Sequence, residues 1–404
     1  MQHLLYKNQT LFRFCLVNVS PGHTIVAMDY KEEALRKHKE LKGKLTISLK
    51  DKLDSKDKLS TYYTPGVGAV SSYVAEHPDE AREYTWLNNS VAVISDGSAV
   101  LGLGNIGPYG ALPVMEGKAM LFKHFADIDA VPIILDVHSA DEIVSVVKAI
   151  APSFGGINLE DIAAPICFEV EERLKAELNI PVFHDDQHGT AIVVLAGLIN
   201  AMKVTERNLK DCRIVCVGAG AAGTAIMKLL NLYAQPEILA VDSKGIISND
   251  RTDLNEDKQR LLDFTNHDNV SGSLKDALRG ADIFIGVSKA GLLSIDMVKT
   301  MAPNPIIFAM ANPIPEIMPE EAQAAGVAIM ATGRSDFPNQ VNNSLAFPGI
   351  FRGALDNRVS KITDEHKIAA AEVLANLVEV PTAQMIIPSN LDPRLVPEIS
   401  KVIV

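Results

Sequence analysis

The stretch "RIVCVGAGAAG", residues 213–223, leaves few folds open to this chain. A short apolar run ends in a glycine turn of the form G-x-G-x-x-G, and a helical pattern, "GTAIMKLLNLYA", follows at once. A second apolar run, "EILAVD", then closes on Asp242, about twenty residues after the last glycine. Such a strand–turn–helix–strand unit folds as a right-handed parallel crossover. Gly218 allows the tight turn and Gly220 lets backbone approach a pyrophosphate. Gly223 lets helix and strand pack closely, and the helix amino end offers free amides and partial positive charge. Gly218, Ala219, Gly220, Ala221, Ala222 and Gly223 are therefore expected to bind a dinucleotide, with Asp242 accepting hydrogen bonds from its ribose.

Three further short apolar runs, "ADIFIGVS", "IIFAMANP" and "AIMATG", alternate with helical patterns such as "SLKDALRG", which predicts a doubly wound parallel sheet. Before residue 189 the chain again mixes strands ("VAVISD", "VPIILDV", "IPVFHD") with helices ("VMEGKAMLFKHFA", "SADEIVSVVKAI"). The expected fold class is α/β: a Rossmann-like doubly wound domain over 189–404, a smaller amino-terminal α/β domain over 28–188, and a helical tail from about 355 packing on that first domain. Residues 1–27 read as an extension unlike the rest. A charged first helix, "MDYKEEALRKHKELKGK", begins at Met28.

Composition narrows the function. The net charge is −12, with 38 basic against 50 acidic residues, and no Lys/Arg block offers a phosphate-backbone footprint, so no nucleic-acid partner is expected. The longest apolar run, "AIVVLAGLINAM", is shorter than a bilayer span, so no membrane partner is expected. Cys15, Cys167, Cys212 and Cys216 form no C-x-x-C pair, which suits a reduced, cytoplasmic compartment.

The most unusual stretch is "IPVFHDDQHGTAIV", where Asp185 and Asp186 stand side by side after an apolar strand. Carboxylates at the carboxyl end of a buried strand lie where α/β sheets bind ligands, and they need a cation or base to offset their repulsion. "NLEDIAAP" adds Glu160 and Asp161, read as the start of a helix capped by Asn158. Oxygen-only donors suit Mg²⁺ or Mn²⁺. His184 and His188 are read as structural, or as groups that support the ligands from behind, rather than as zinc ligands, since Gly189, taken as the helix start, interrupts their spacing. Lys118 is a lone charge in an apolar helical run: either it snorkels to solvent, or, desolvated near a cation, it is a base of lowered pKa. A second glycine pattern, Gly102 to Gly107, runs into Pro108 rather than directly into a helix and is left open between a ligand loop and an ordinary turn. Tyr63, before a Pro-Gly turn, and Asn312, Asn342 and Asn343, near strand ends, say little alone.

Taken in order, "YTPGVG", "SDGSAVLGLGNIGPYGALPVMEGK", "LEDI", "FHDDQHGTA", "VGAGAAGTA", "MANP" and "QVNNSLAFPGIFRGAL" resemble the malic enzymes, specifically the short prokaryotic type. The resemblance runs from about Met28 to the end. It implies a divalent metal (Mg²⁺ or Mn²⁺) on Glu160, Asp161 and Asp186, Tyr63 as general acid, Lys118 as general base in contact with substrate, and Asp185 orienting or neutralising beside them. It places Asn343 on the substrate and Asn312 near the nicotinamide. The implied reaction is oxidative decarboxylation of malate to pyruvate and CO₂ with NAD or NADP, in a homodimer where Tyr63 serves the partner's site. Alternatives are a malolactic enzyme, oxaloacetate decarboxylation without net redox, or a silent nucleotide-binding protein. Cofactor choice leans to NADP or dual use, because Ser243 and Lys244 next to Asp242 can accept a 2′-phosphate. Longer family members carry an arginine where this chain has Ala99, so another group must bind one substrate carboxylate.

Overall fold

The computed structural model describes residues 30–100 and 103–404. Residues 30–44 belong to a unit of their own, whose one described element is the helix Tyr30–Leu41, with Glu32 and Glu33 in its first turn and His38 and Lys39 in its last, both favourable to the helix dipole. The expected extension, residues 1–27, lies outside the described residues, as does Cys15.

Residues 45–404 form the second unit, built on two sheets. The first holds four parallel strands: β1 (Ser90–Ser95), β2 (Asp129–Ile134), β3 (Gly156–Leu159) and β4 (Val182–His184), in the order β2-β1-β3-β4. The second holds β5 (Arg213–Val217), β6 (Glu237–Asp242), β7 (Gly245–Ile246), β8 (Ile283–Gly286), β9 (Ile306–Ala309) and β10 (Ile329–Thr332). Its order is β10-β9-β8-β5-β6-β7, parallel except for the β7 edge. Each sheet starts at an inner strand and reverses direction, one between β1 and β3, the other between β5 and β8. A crevice for ligand opens at such a point, outside the strand carboxyl ends. The parallel strands are almost wholly apolar runs because helices cover both faces.

β3 and β7 were not legible in the sequence. β3 is a four-residue "GINL", too short for periodicity, and β7 a two-residue edge pair closed by Gly245 at φ 115°.

The helix Asp185–Thr205 joins the two sheets and runs through the expected boundary at 188/189 without a break. It is the one described helix long and apolar enough to cross a bilayer, longer than the sequence suggested, yet 67% of that window is buried inside the protein. Gly197 lets it lie on β9, where a Cβ would come 2.9 Å from the Phe308 ring. Buried Asn200 donates to the carbonyls of Ala375 and Ile386, at 2.8 and 2.9 Å, fastening the tail.

That tail divides its contacts. The helix Phe347–Asp356 packs on the Lys118-bearing helix Gly107–Ala126, with Phe347 and Phe351 ring centroids 4.6 and 5.3 Å from Phe122. Past residue 355, however, the helix Asp364–Asn376 packs on Asp185–Thr205 and Ala221–Ala234, and Leu395–Ser400 packs on Phe347–Asp356. Direct ties from there to the first sheet's part of the chain run through Arg358 to Glu83 and Leu355 O to Arg82. The tail is helical as expected, but it rests mainly on the joining helix, whose apolar surface continues all round.

Candidate active site

The carboxyl ends of β1, β3 and β4 bring the acidic residues together. Asp96 and Ser98 follow β1: Ser98 Oγ donates to Asp96 Oδ1 (2.6 Å) and accepts from the Ala163 amide (2.9 Å), while the Ala99 amide donates to the Asp161 carbonyl (3.0 Å). Glu160 and Asp161 follow β3. They do not start a helix, as the sequence suggested: Asn158 is inside β3, opposite Val93 and Phe183, and Asp161 takes a left-handed φ of 54°, which no helix start accepts. The next helix waits until Ile166. Asn158 instead donates its Nδ2 to Glu160 Oε2 at 2.9 Å, a role a capping pattern conceals.

Asp185 and Asp186 form the first turn of Asp185–Thr205, so this helix starts four residues before Gly189. Acidic side chains there suit the dipole. Gly189 is required for another reason: a Cβ on it would lie 1.9 Å from Asp185 Oδ1 and 3.0 Å from the Asn343 Cβ. Asn343 therefore stands against the same turn.

Lys118 completes the cluster from the opposite wall. The expectation that its helix would not follow the glycine loop directly is corrected: the helix begins at Gly107 with Pro108 in its first turn, where proline's missing N–H costs nothing. Gly102 itself is outside the described residues. Lys118 is only 8% exposed and does not snorkel. Its Nζ lies 2.6 Å from Asp185 Oδ2 and 2.8 Å from Glu160 Oε1, and 4.4 Å from the Phe347 ring centroid. Burial works to lower its pKa, but Asp185, Glu160 and Asp186 outweigh it and raise it, the reverse of the sequence expectation, which supposed a cation at its side. The carboxylates answer in kind. Burial raises Glu160 to about 7, against Lys118 and with the Asp186 charge, and raises Asp185 and Asp186 to about 6 despite Lys118.

Glu160, Asp161 and Asp186 do not form a ready ligand shell: among the described residues no three His, Cys, Asp or Glu side chains stand close enough to hold a metal ion. The reason is local. Glu160 is drawn to Lys118, and Asp186 Oδ2 accepts the Asp161 amide at 2.7 Å.

The two histidines are not brought to this cluster as ligands. His188 Nε2 lies 2.9 Å from both Glu171 oxygens, and buried His184 makes no ring hydrogen bond among the described residues. Burial lowers both to about 4. Tyr63 is also not brought in. It caps the helix Lys56–Tyr62 and is 67% exposed, with no hydrogen bond or ion pair to the cluster among the described residues.

At the second sheet the glycines behave as their spacing implies. Gly218 has φ 113° and a Cβ there would lie 2.8 Å from the Val287 carbonyl; one on Gly223 would lie 1.7 Å from the Gly218 carbonyl. Gly220 faces open space, with no atom within 4 Å of a Cβ, and no side chain caps the helix Ala221–Ala234. Ala219, Ala221 and Ala222 fill the turn between them. Asp242 ends β6, but its carboxylate is already engaged: Arg251 binds it at 2.7 and 3.1 Å and Lys258 at 2.6 Å. Burial opposes, but these bonds lower it to about 2. Lys244 turns instead to Asp253 at 2.7 Å. Arg251 and Lys258 lie on a loop and a short helix whose spacing carries no signal in the sequence.

Asn312 follows β9, its Nδ2 3.0 Å from where a Gly333 Cβ would stand beyond β10. Buried Glu316, which the sequence reading passed over, accepts the Ser288 and Ala311 amides at 3.0 and 3.1 Å and ties the ends of β8 and β9. Its only trace is a lone acid in "ANPIPE". Cys167, Cys212 and Cys216 are buried free thiols whose pKa burial raises.

Comparison with known proteins agrees with this geometry. The family described as "Malic enzyme, N-terminal domain" matches residues 42–175, and "Malic enzyme, NAD binding domain" matches 187–402. The bifunctional malic/malolactic enzyme of Bacillus subtilis is 54% identical over 93% of this chain and 92% of its own length. An NADP-dependent malic enzyme of Rhizobium meliloti is 50% identical over 90% of this chain and half of its own. The crystal structure of an NAD-dependent malic enzyme from Thermotoga maritima superposes with a TM-score of 0.89 at 52% identity, covering 92% of this chain and 98% of that one. A dinucleotide turn and a lysine–carboxylate cluster on two α/β sheets, matched by both domain families over most of the length, have one consequence: the chain belongs to the malic enzyme family.

Proposed function

We propose that the chain oxidises (S)-malate with NAD or NADP and decarboxylates it to pyruvate and CO₂, at the cluster of Lys118, Asp185, Glu160, Asp161 and Asp186. The observation that carries this reading is Lys118, buried and bonded to two carboxylates in the first sheet's crevice.

Glu160, Asp161 and Asp186 would hold Mg²⁺ or Mn²⁺. The chemistry of the donor set fits such an ion, although the side chains are not yet gathered round one point: all donors are carboxylate oxygens, Glu160 and Asp161 are buried, and the Glu160 and Asp186 pKa values are raised by burial and by neighbouring carboxylates, so that a hard cation relieves them. When bound, a divalent cation supplies Lewis-acid polarisation of the substrate oxygen. The chain's own residues do the rest. Lys118 in its neutral form takes the proton of the C2 hydroxyl as the C2 hydride leaves for the nicotinamide; a cation on the carboxylates would favour that form by offsetting the negative charge that raises its pKa. Asp185, at 2.6 Å, orients the Lys118 amine and balances its charge. After the C4 carboxylate departs as CO₂, Tyr63 protonates C3. Asn343 holds substrate beside Gly189, and Asn312 lies at the nicotinamide end.

Tyr63 reaches this chemistry from a second copy of the chain. The helices Lys56–Tyr62 and Gly66–Glu76 bury no residue within one chain and leave Leu59, Tyr62, Val67, Val70 and Tyr73 exposed, as a homodimer interface requires. At the adenosine end, Arg251 and Lys258 on Asp242 favour use of NADP as well as NAD, since a 2′-phosphate can take over their charge. The setting is small-molecule metabolism in the cytoplasm, with no nucleic-acid or membrane partner. The test supplies malate, Mn²⁺ and either NAD or NADP, and follows reduced nicotinamide and product. Pyruvate with equimolar reduced cofactor supports the reading. Lactate without it supports the malolactic alternative, which the Bacillus relative's name keeps in view.

A further inference from the structure

Bonded to the segment that carries Asp185 and Asp186 is a charge that the reaction above does not use. Glu171, on the helix Ile166–Glu177, is 6% exposed. A buried carboxylate is costly unless hydrogen bonds surround it. Here they come from one short segment. The His184 backbone amide donates to Oε1 at 3.1 Å, Gln187 Nε2 donates to Oε2 at 3.4 Å, and His188 Nε2 lies 2.9 Å from both oxygens. Lys175, one turn along the Glu171 helix, closes the outer side with Nζ 2.7 Å from Oε1.

The three residues gripped, 184, 187 and 188, bracket Asp185 and Asp186. These two are themselves held by Lys118 and by the Asp161 amide. β4 holds the turn from before and Asn343 stands against Gly189 after it, while Glu171 bonds to the turn itself, and a rotation there moves both carboxylates together. We infer that Glu171 is a positioning residue: a clamp that sets the strand-to-helix turn so that Asp185 meets Lys118 and Asp186 meets the cation. This rests on the reading of Asp186 as a metal carboxylate. Groups that orient metal-binding side chains typically change metal affinity or activity by about 10–100-fold when removed.

The experiment uses Glu171→Gln, which keeps the volume and removes the charge, together with His188→Gln, which keeps a donor to Glu171, and His188→Leu, which does not. Five quantities are read on the enzyme: Tm, dinucleotide Kd by fluorescence, Mn²⁺ Kd by electron paramagnetic resonance without substrate, and kcat and KM for malate. Expected for Glu171→Gln are a Tm and dinucleotide Kd near wild type, with Mn²⁺ affinity and kcat each lower by about 10–100-fold. His188→Leu should follow it and His188→Gln should recover most of the loss. The inference is overturned if Glu171→Gln keeps both Mn²⁺ affinity and kcat, or if Tm and dinucleotide binding fall in parallel with them. Should Glu171→Gln not fold, equal behaviour of the two His188 variants overturns it. Wild-type enzyme that fails to bind Mn²⁺ overturns the metal reading instead, and kcat against Tm then decides the clamp.

Discussion

Gly189→Ala tests the geometry of the site with one methyl group. In an exposed helix interior this exchange would gain about 0.5–1 kcal/mol, because glycine loses more backbone freedom on folding. At this position the new Cβ lands 1.9 Å from Asp185 Oδ1, and restoring an ordinary contact of 3.4 Å drives the carboxylate back by about 1.5 Å. Oδ1 itself has no hydrogen bond to lose, but it moves as one plane with Oδ2, which lies 2.6 Å from Lys118. Asn343, 3.0 Å from the new atom, blocks the other side. Overpacking of this kind costs about 1–3 kcal/mol, so the net stability change is a loss of roughly 0–2 kcal/mol. Misplacing a catalytic group by about 1 Å costs about 100-fold in rate. The expected result is therefore a kcat lower by about two orders of magnitude, with nearly unchanged Tm and dinucleotide Kd. A Gly189→Ala enzyme that keeps kcat within a few-fold of wild type would refute both the role of Asp185 and the contact that constrains it.

Lys118→Ala should cut turnover by about 10²–10⁴-fold while dinucleotide still binds; near-normal turnover would show that the base lies elsewhere. Gly220→Ala should fold with an unchanged Tm and weaken dinucleotide binding, whereas Gly223→Ala, facing a backbone carbonyl at 1.7 Å that cannot turn aside, should lower Tm as well; equal Tm values would contradict this division. His184 is fully buried, and burial lowers its pKa from 6.5 to about 4. The unfolded chain thus binds a proton that the folded one refuses between these values, so stability falls as pH drops through that window, by on the order of 2 kcal/mol at pH 5. His184→Gln should remove this share of the acid loss, seen as a urea midpoint that falls less than wild type from pH 7 to 5; parallel decline of the two would refute it.

Local pattern carried the strand, glycine turn and helix of the second sheet. Gly223 packs on Gly218 within one short window, but Gly218 also meets Val287, just after the neighbouring strand β8, and Asp242 is engaged by Arg251 and Lys258. The acidic half was legible only as a set of residue types. Asp185 and Asp186 at a strand end announced a site, and the resemblance named their companions, but the partner of each was set by neighbours far along the chain. Lys118 lies 67 residues from Asp185, and Gly189 was read as a helix start when its task is to leave room for that carboxylate.

Two errors share a cause. Asn158 looks like a helix cap because two acids follow it at Glu160 and Asp161, yet the sheet ladder with β1 and β4 claims its backbone and Glu160 claims its side chain. Lys118 was left between a snorkelling side chain and a desolvated base of lowered pKa; it is buried, and three carboxylates from two other strand ends raise its pKa instead. Sequence by itself determined the period of each element, the glycine turn, the class of chemistry and the kinds of group that perform it, since these depend on residues adjacent in the chain. Only the tertiary structure decided which charges meet, which are buried, and that Glu171, Arg251 and Lys258 stand behind the named residues. Coulomb energies and desolvation depend on distance in space, and the sequence records only distance along the backbone.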